Sequence, residues 1–274
     1  VADPIFDPLT GDRWVLNGRV VPMTGPHDVV DDGNVYVSGG LIEAVQPAGR
    51  PAPPGYEGIR PRRTGGTIFP GLIELHNHLA YNVLPLWQVP KRYEHRGQWG
   101  EHADYRKLIS GPMNVLGKTD GLVQAVVRWT EVKALIAGTT TSQGIALYSN
   151  ANVHKYYRGL VRNVEETNDA LLPEASTKIS DVDAASAAKF LKRLESHRAK
   201  DRKLILHLAE GRNDDEQDRA NRHFRALKIG GRTWAINEAL VGIHGTGLRG
   251  RNFATLRVRD GSLVWSPLSN LLLY

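Results

Sequence analysis

The chain has 274 residues, 41% hydrophobic and 23% charged, which suits one large domain or a large domain with a small one, each able to bury a core. Lysine and arginine number 35 against 29 aspartates and glutamates, a net charge of +6 spread without any basic run, so the surface reads as mixed and solvated rather than as a nucleic-acid or membrane face. Cysteine is absent, which excludes disulfides and thiolate metal sites, and no apolar stretch approaches the roughly 18 residues of a membrane span. A charged-then-apolar leader is also missing, and the cytoplasm is the expected compartment. Val1 in place of an initiator methionine leaves a removed leader open.

In chain order, residues 1–66 read as a small β-sandwich domain. Trp14–Val21, Gly33–Ser38 and Leu41–Val45 are short β-rich runs, and Gly39-Gly40 between the last two is a tight hairpin signal. Residues 47–55, rich in proline and glycine, cannot be helix and form a surface loop. From Thr67 the pattern changes to strands alternating with helices through Tyr274. The apolar run Thr67–His78 is expected to be a strand on which His76 and His78, one residue apart, leave on the same side and can grip one ion.

Residues 79–117 then form a long segment rich in aromatic residues, proline and glycine, expected as a functional loop whose Trp87, Tyr93, His95 and Trp99 line a substrate pocket. His102 is a further pocket candidate on it. Thr119-Asp120 starts a helix whose apolar face is read as Leu122, Val126, Trp129, Val132 and Ile136, with Lys133 at the same spacing, ending at Gly138. Thr139–Ser142 is a buried strand candidate, 159–164 a weaker one, and Ala175–Ser180 a plausible fourth strand carrying Lys178.

Asp181 or Asp183 caps the next helix, with Ala187, Phe190, Leu191 and Leu194 on its apolar face. Lys203–Leu208 is a buried strand carrying His207, followed by Glu210 and a turn at Gly211. A charged helix over 214–227, a strand over 239–245 with His244 at its end, a short helix around Phe253 and Leu256, and a strand at Leu263–Trp265 complete the series. Such alternation predicts a parallel sheet with right-handed crossovers. Four of the ten histidines, His76, His78, His207 and His244, fall at the C-terminal ends of predicted strands, where a βα barrel gathers its site. His27, His154, His197 and His223 read as surface residues.

Pro70-Gly-Leu-Ile-Glu-Leu-His-Asn-His78, Ala137-Gly-Thr-Thr-Thr141, His207-Leu-Ala-Glu210, His244 and Ser266-Pro-Leu-Ser-Asn270 together resemble the amidohydrolase superfamily of metal-dependent hydrolases, over nearly the whole chain. His-x-Ala-Glu is similar to the branch of cytosine, guanine, adenosine-type and triazine aminohydrolases. The resemblance implies an α/β fold, a (β/α)8 barrel over 67–274 beside the small domain, and hydrolysis of a C–N bond by metal-activated water. By position it implies His76, His78 and His207 as ligands of a divalent metal, zinc ahead of iron or manganese, with Glu210 as proton carrier and His244 as oxyanion or water partner. Asn270 joins the substrate pocket.

Glu74 stands where the family pattern has aspartate, a change expected to affect loop packing. The family also carries a catalytic aspartate on an eighth strand, whereas about seven strands are legible here. The expectation is therefore an incomplete barrel, an oligomer, and a complementary chain that supplies the last strand and its carboxylate. In two-metal members a carbamylated lysine bridges the ions. Lys178, with His244, would serve a second metal if the chain followed that pattern, making it a cyclic amide, peptide or ester hydrolase. A non-catalytic metal-binding subunit is the remaining alternative.

Overall fold

The chain is seen in a computed structural model that describes residues 13–144, 156–157 and 159–274. His154 lies outside them. Two compact units divide at Gly71, Val1–Gly71 and Leu72–Tyr274.

In the first unit β1 (Arg13–Val20), β2 (Val30–Ser38), β3 (Leu41–Pro47) and β4 (Arg62–Ile68) form one sheet in the order β3-β2-β1-β4. The β2–β3 hairpin turns on Gly39 and Gly40, both at positive φ (56° and 79°), the backbone that a tight two-residue turn demands and that glycine supplies without steric cost. Alternate residues of β2 face opposite ways. Tyr36 packs with Val15 and Tyr56 on one face, while Val35 and Val37 pack with Val20 on the other. A second sheet, which a sandwich requires, is not among the described residues of this unit. Thr67 and Ile68 pair with Arg19 and Val20, so the expected single run from Thr67 is split at Pro70-Gly71, with its first part in the small sheet.

The second unit begins with β5 (Leu72–Glu74). The stretch expected to be a loop is largely helical: a 3-10 turn at Leu79–Val83, α1 (Arg96–Trp99), α2 (Ala103–Tyr105), a π turn at Arg106–Ser110 and α3 (Gly111–Lys118). His95 and His102 cap α1 and α2, each accepting through Nδ1 from the backbone N–H two residues on, a polar role that accounts for histidines between aromatic neighbours. α4 (Leu122–Ile136) buries Val123, Val126, Val127 and Thr130 and leaves Leu122, Trp129, Val132 and Ile136 exposed. The helix is apolar on two faces, and of the expected face only Val126 is buried.

β6 (Thr139–Ser142), β7 (Arg162–Asn163), β8 (Ala175–Lys178), α5 (Ala187–Arg198), β9 (Lys203–Leu208) and α6 (Arg219–Arg225) follow. Asp183 accepts from the Ser186 N–H to start the turn into α5, whose Ala187, Phe190 and Leu194 are buried as expected. α6 starts later than expected. Asp215 accepts from the N–H groups of Gln217 and Arg219, and Asp218 sits at φ 52°, so residues 214–218 are a turn. A hairpin of β10 (Lys228–Gly230) and β11 (Thr233–Trp234), then β12 (Leu240–His244), α7 (Gly250–Arg257), β13 (Ser262–Val264) and α8 (Pro267–Leu273) complete the order.

Among the described residues seven strands run parallel in chain order, β5-β6-β7 as one sheet and β8-β9-β12-β13 as another. The Ala175 N–H donates to the Val164 carbonyl at 2.7 Å, carrying the chain from the first sheet to the second. β9 is buried from Leu204 to Leu208, because helices cover the sheet and leave no polar face to alternate with. The main core gathers Leu204, Leu206, Phe224, Leu240 and Leu248. Phe224 is wholly buried, so Phe224→Ala should cost about 3–5 kcal/mol, read as a lower denaturant midpoint.

Candidate metal centre

β5 ends at Glu74, so His76 and His78 lie in the bend beyond it and not on a strand as expected. Their rings still converge, 5.4 Å apart and edge to face, because the bend is tied down at several points. The Glu74 carboxylate accepts from the His76 N–H at 3.3 Å, a loop-holding contact where the family pattern has aspartate. Gln143, wholly buried after β6, accepts from the Asn77 N–H at 3.2 Å and donates to Thr177 Oγ1 at 3.0 Å. Gly144, at φ 91°, runs so close that a Cβ there would lie 1.5 Å from the Asn77 carbonyl oxygen. Gly144→Ala should therefore displace the bend and weaken metal binding, measured by zinc titration of the folded variant.

His207 is the penultimate residue of β9, and His244 ends β12 beside it. His244 has φ 72° and Ala209 φ 50°, conformations that turn the chain out of each strand and cost of order 1–3 kcal/mol apiece. They are held by Gly245 N–H to Leu208 carbonyl (3.0 Å) and Gly247 N–H to Ala209 carbonyl (2.8 Å), which extend the β9–β12 pairing past the strand ends. Glu210 follows Ala209 in the same turn and is 4% exposed.

The side chains meet closely. Ligand atoms of His76, His207 and His244 all lie within 4.8 Å of one another. His78 stands beside them, its ring centroid 5.7 Å from that of His207. Glu210 Oε2 is 3.5 Å from His244 Nε2, and its Oε1 accepts from the Tyr274 hydroxyl at 2.7 Å. Burial, followed by the neighbouring imidazoles, lowers His76 to about 2. Burial and the same crowding lower His207 to about 3 and His78 to about 4. These three imidazoles are therefore neutral at ordinary pH, the form that binds metal. His76 Nε2 and His207 Nδ1 are buried without a hydrogen-bond partner, which leaves two lone pairs unsatisfied inside the cluster. Neutral nitrogen donors in this number suit a divalent transition metal such as zinc.

The other sequence candidates are placed differently. Lys178 donates through Nζ to Ser180 Oγ and is not among the histidine group whose ligand atoms meet. Tyr93 is buried, packed with Leu273 and Tyr274 and with Trp87 and Trp99 at the margin, so these aromatics form a small core. Asn270 is buried on His244, Oδ1 to Nδ1 at 2.8 Å. His197 bonds Ser176 Oγ through Nε2 at 3.0 Å, and His223 Nε2 lies 3.3 Å from Asp181. Sequence reading gave no role to Ser266, whose Oγ lies 2.8 Å from His76 Nδ1, or to Tyr274; their spacing with Asn270 was the available signal.

No protein-family model matches the sequence, and no curated protein matches it. Solved structures do. An adenosine deaminase from Xanthomonas campestris with bound zinc matches with TM-score 0.57 at 18% identity, over 95% of this chain and 64% of that one. A guanine deaminase from C. acetobutylicum with guanine in its active site matches with TM-score 0.59 at 11% identity, over 95% and 69%. A mutant atrazine chlorohydrolase from Arthrobacter aurescens, complexed with zinc and atraton, matches with TM-score 0.59 at 13% identity, over 95% and 67%. The chain thus spans less than two thirds of the adenosine deaminase's length. Parallel strands in chain order, with histidines gathered at and beyond their C-terminal ends, give this chain the α/β fold of these three structures.

Proposed function

We propose that the chain is a member of the amidohydrolase superfamily and a metal-dependent hydrolase that splits a C–N bond, by deamination or amide hydrolysis, in a small cyclic or aromatic substrate. The observation that carries this reading is the buried histidine cluster with Glu210 at its edge. His76 and His207, with His78 and His244 beside them, hold a divalent ion. A divalent ion held there would supply positive charge to acidify water and polarise the substrate. Glu210 takes the proton from the attacking water and returns it to the leaving nitrogen, work that needs a carboxylate next to the ion but outside its ligand set. His244, its Nδ1 held by Asn270, presents Nε2 to the site and orients the attacking water by accepting from it. Trp87, Tyr93 and Trp99 pack with Tyr274 and support it from behind.

The test is zinc content and ammonia release from a panel of aminopyrimidines, aminopurines and aminotriazines. One ion per chain with turnover is the expected result. Two ions per chain would point to a bridge through Lys178 instead, and failure to retain any metal would overturn the reading. Removing the metal by chelation should also lower stability. At free zinc of about 100 times Kd the bound ion contributes about 2.7 kcal/mol, so melting temperature should fall on chelation and return on adding zinc.

A complementary polypeptide is proposed to supply a further acidic residue. Support comes from the exposed Leu72 and Ile73 on β5. The expected result is slow turnover by the zinc-loaded chain alone, raised on adding the partner.

A further inference from the structure

We infer that one face of α8, with its two flanking residues, is the positioning element of this site. Ser266, Asn270 and Tyr274 lie at i, i+4 and i+8, a spacing that puts three side chains on one side of a helix. Each reaches a different functional group. Ser266 Oγ meets His76 Nδ1 at 2.8 Å, Asn270 Oδ1 meets His244 Nδ1 at 2.8 Å, and the Tyr274 hydroxyl donates to Glu210 Oε1 at 2.7 Å.

The chemistry of each contact sets what it does. The Asn270 amide oxygen only accepts, so Nδ1 of His244 carries the proton and its Nε2 keeps a lone pair on the Glu210 side. Asn270 Nδ2, 3.5 Å from the His244 carbonyl, fixes that amide orientation. Ser266 Oγ can accept from His76 Nδ1–H in the same way, which frees the partnerless Nε2 for an ion. Tyr274 cannot both donate to Glu210 and turn elsewhere. Trp99 Nε1–H donates into its oxygen at 2.7 Å, leaving the hydroxyl proton committed to the carboxylate. Glu210 is thereby held with Oε1 occupied and Oε2 facing His244. None of the three residues need touch the ion or the substrate, so they are positioning residues, and the same rigid helix couples ligand geometry to the proton carrier.

This inference rests on the proposed hydrolase reading for its kinetic arm, and the zinc arm stands apart from it. Zinc affinity, by competition with a chromophoric chelator, should weaken roughly 10–100-fold in Ser266→Ala and in Asn270→Ala, as for other residues behind a metal ligand. Leu268→Ala, at an exposed position of α8, should leave affinity unchanged. Tyr274→Phe keeps the ring in its packing and removes only the donor; it should retain zinc and lower kcat roughly tenfold or more with KM little changed. On a Glu210→Gln background the same substitution should cost nothing further. Wild-type zinc affinity in both Ser266→Ala and Asn270→Ala overturns the inference, as does equal weakening in Leu268→Ala or an undiminished Tyr274→Phe effect without Glu210. Should the protein bind zinc yet release ammonia from no substrate, the hydrolase reading fails while the zinc affinities still decide the inference.

Discussion

Glu210→Gln should lower kcat by about 10²–10⁴-fold while zinc content stays at the wild-type value. The substitution preserves side-chain volume and can still accept from the Tyr274 hydroxyl through its amide oxygen, so the turn after β9 keeps its contacts. What it loses is basicity. An amide cannot take a proton from water, and Glu210 is the carboxylate that lies 3.5 Å from a ring nitrogen of this histidine group. The loss should fall on kcat more than on KM, because the proton transfers belong to the chemical step and Glu210 is buried beside His244, away from solvent. Steady-state kinetics with metal analysis on the same preparation read both quantities. A variant with full zinc and unchanged turnover would remove Glu210 from the mechanism.

Some of this site was legible because its residues sit where patterns are strong. Leu204–Leu208 is a continuous apolar run broken only by His207, whose ring is buried among those of His76, His78 and His244. His244 follows the same logic on β12. His76 and His78 were found by the right residues for the wrong reason. Alternation along a strand predicted convergence, but β5 stops at Glu74 and the bend is shaped by Glu74, Gln143 and Gly144. The Gln143 contact with Asn77 joins residues 66 apart in sequence, which no local period encodes.

Other features were hidden by ambiguity. α4 offers apolar residues on two faces, so composition could not say that Val123 and Val127 turn inward and Trp129 outward. Residues 79–117 looked structureless because glycine and proline punctuate them, yet short helices form between those breaks, two of them started by the rings of His95 and His102. The boundary moved to Gly71 because Thr67 and Ile68 gain hydrogen bonds on β1, a partner far back in the chain. Tyr274 carried no motif of its own. Its role emerges only when α8 is seen to set it on the face shared by Ser266 and Asn270.

His207→Ala and His76→Ala should each abolish zinc retention, taking the ion count from about one per chain to none. Both residues belong to the ligand set implied by sequence resemblance and to the group of three whose donor atoms meet. His78 and His244 belong to only one set each, so His78→Ala and His244→Ala should weaken zinc without abolishing it. The argument for His207 is the sharper of the two. Its Nδ1 is buried with no partner, an arrangement that costs roughly 1–3 kcal/mol unless something satisfies it, and its depressed pKa means that a proton does not. A ligated ion does. Removing the imbalance by deleting the ring should make metal-free His207→Ala unfold near or slightly above the metal-free wild type, offset by the small cavity left in the site. The signature is a crossover: wild type gains melting temperature on adding zinc, and His207→Ala does not. Parallel gains in both proteins would show that zinc binds elsewhere, and the assignment of this cluster as the metal centre would fall.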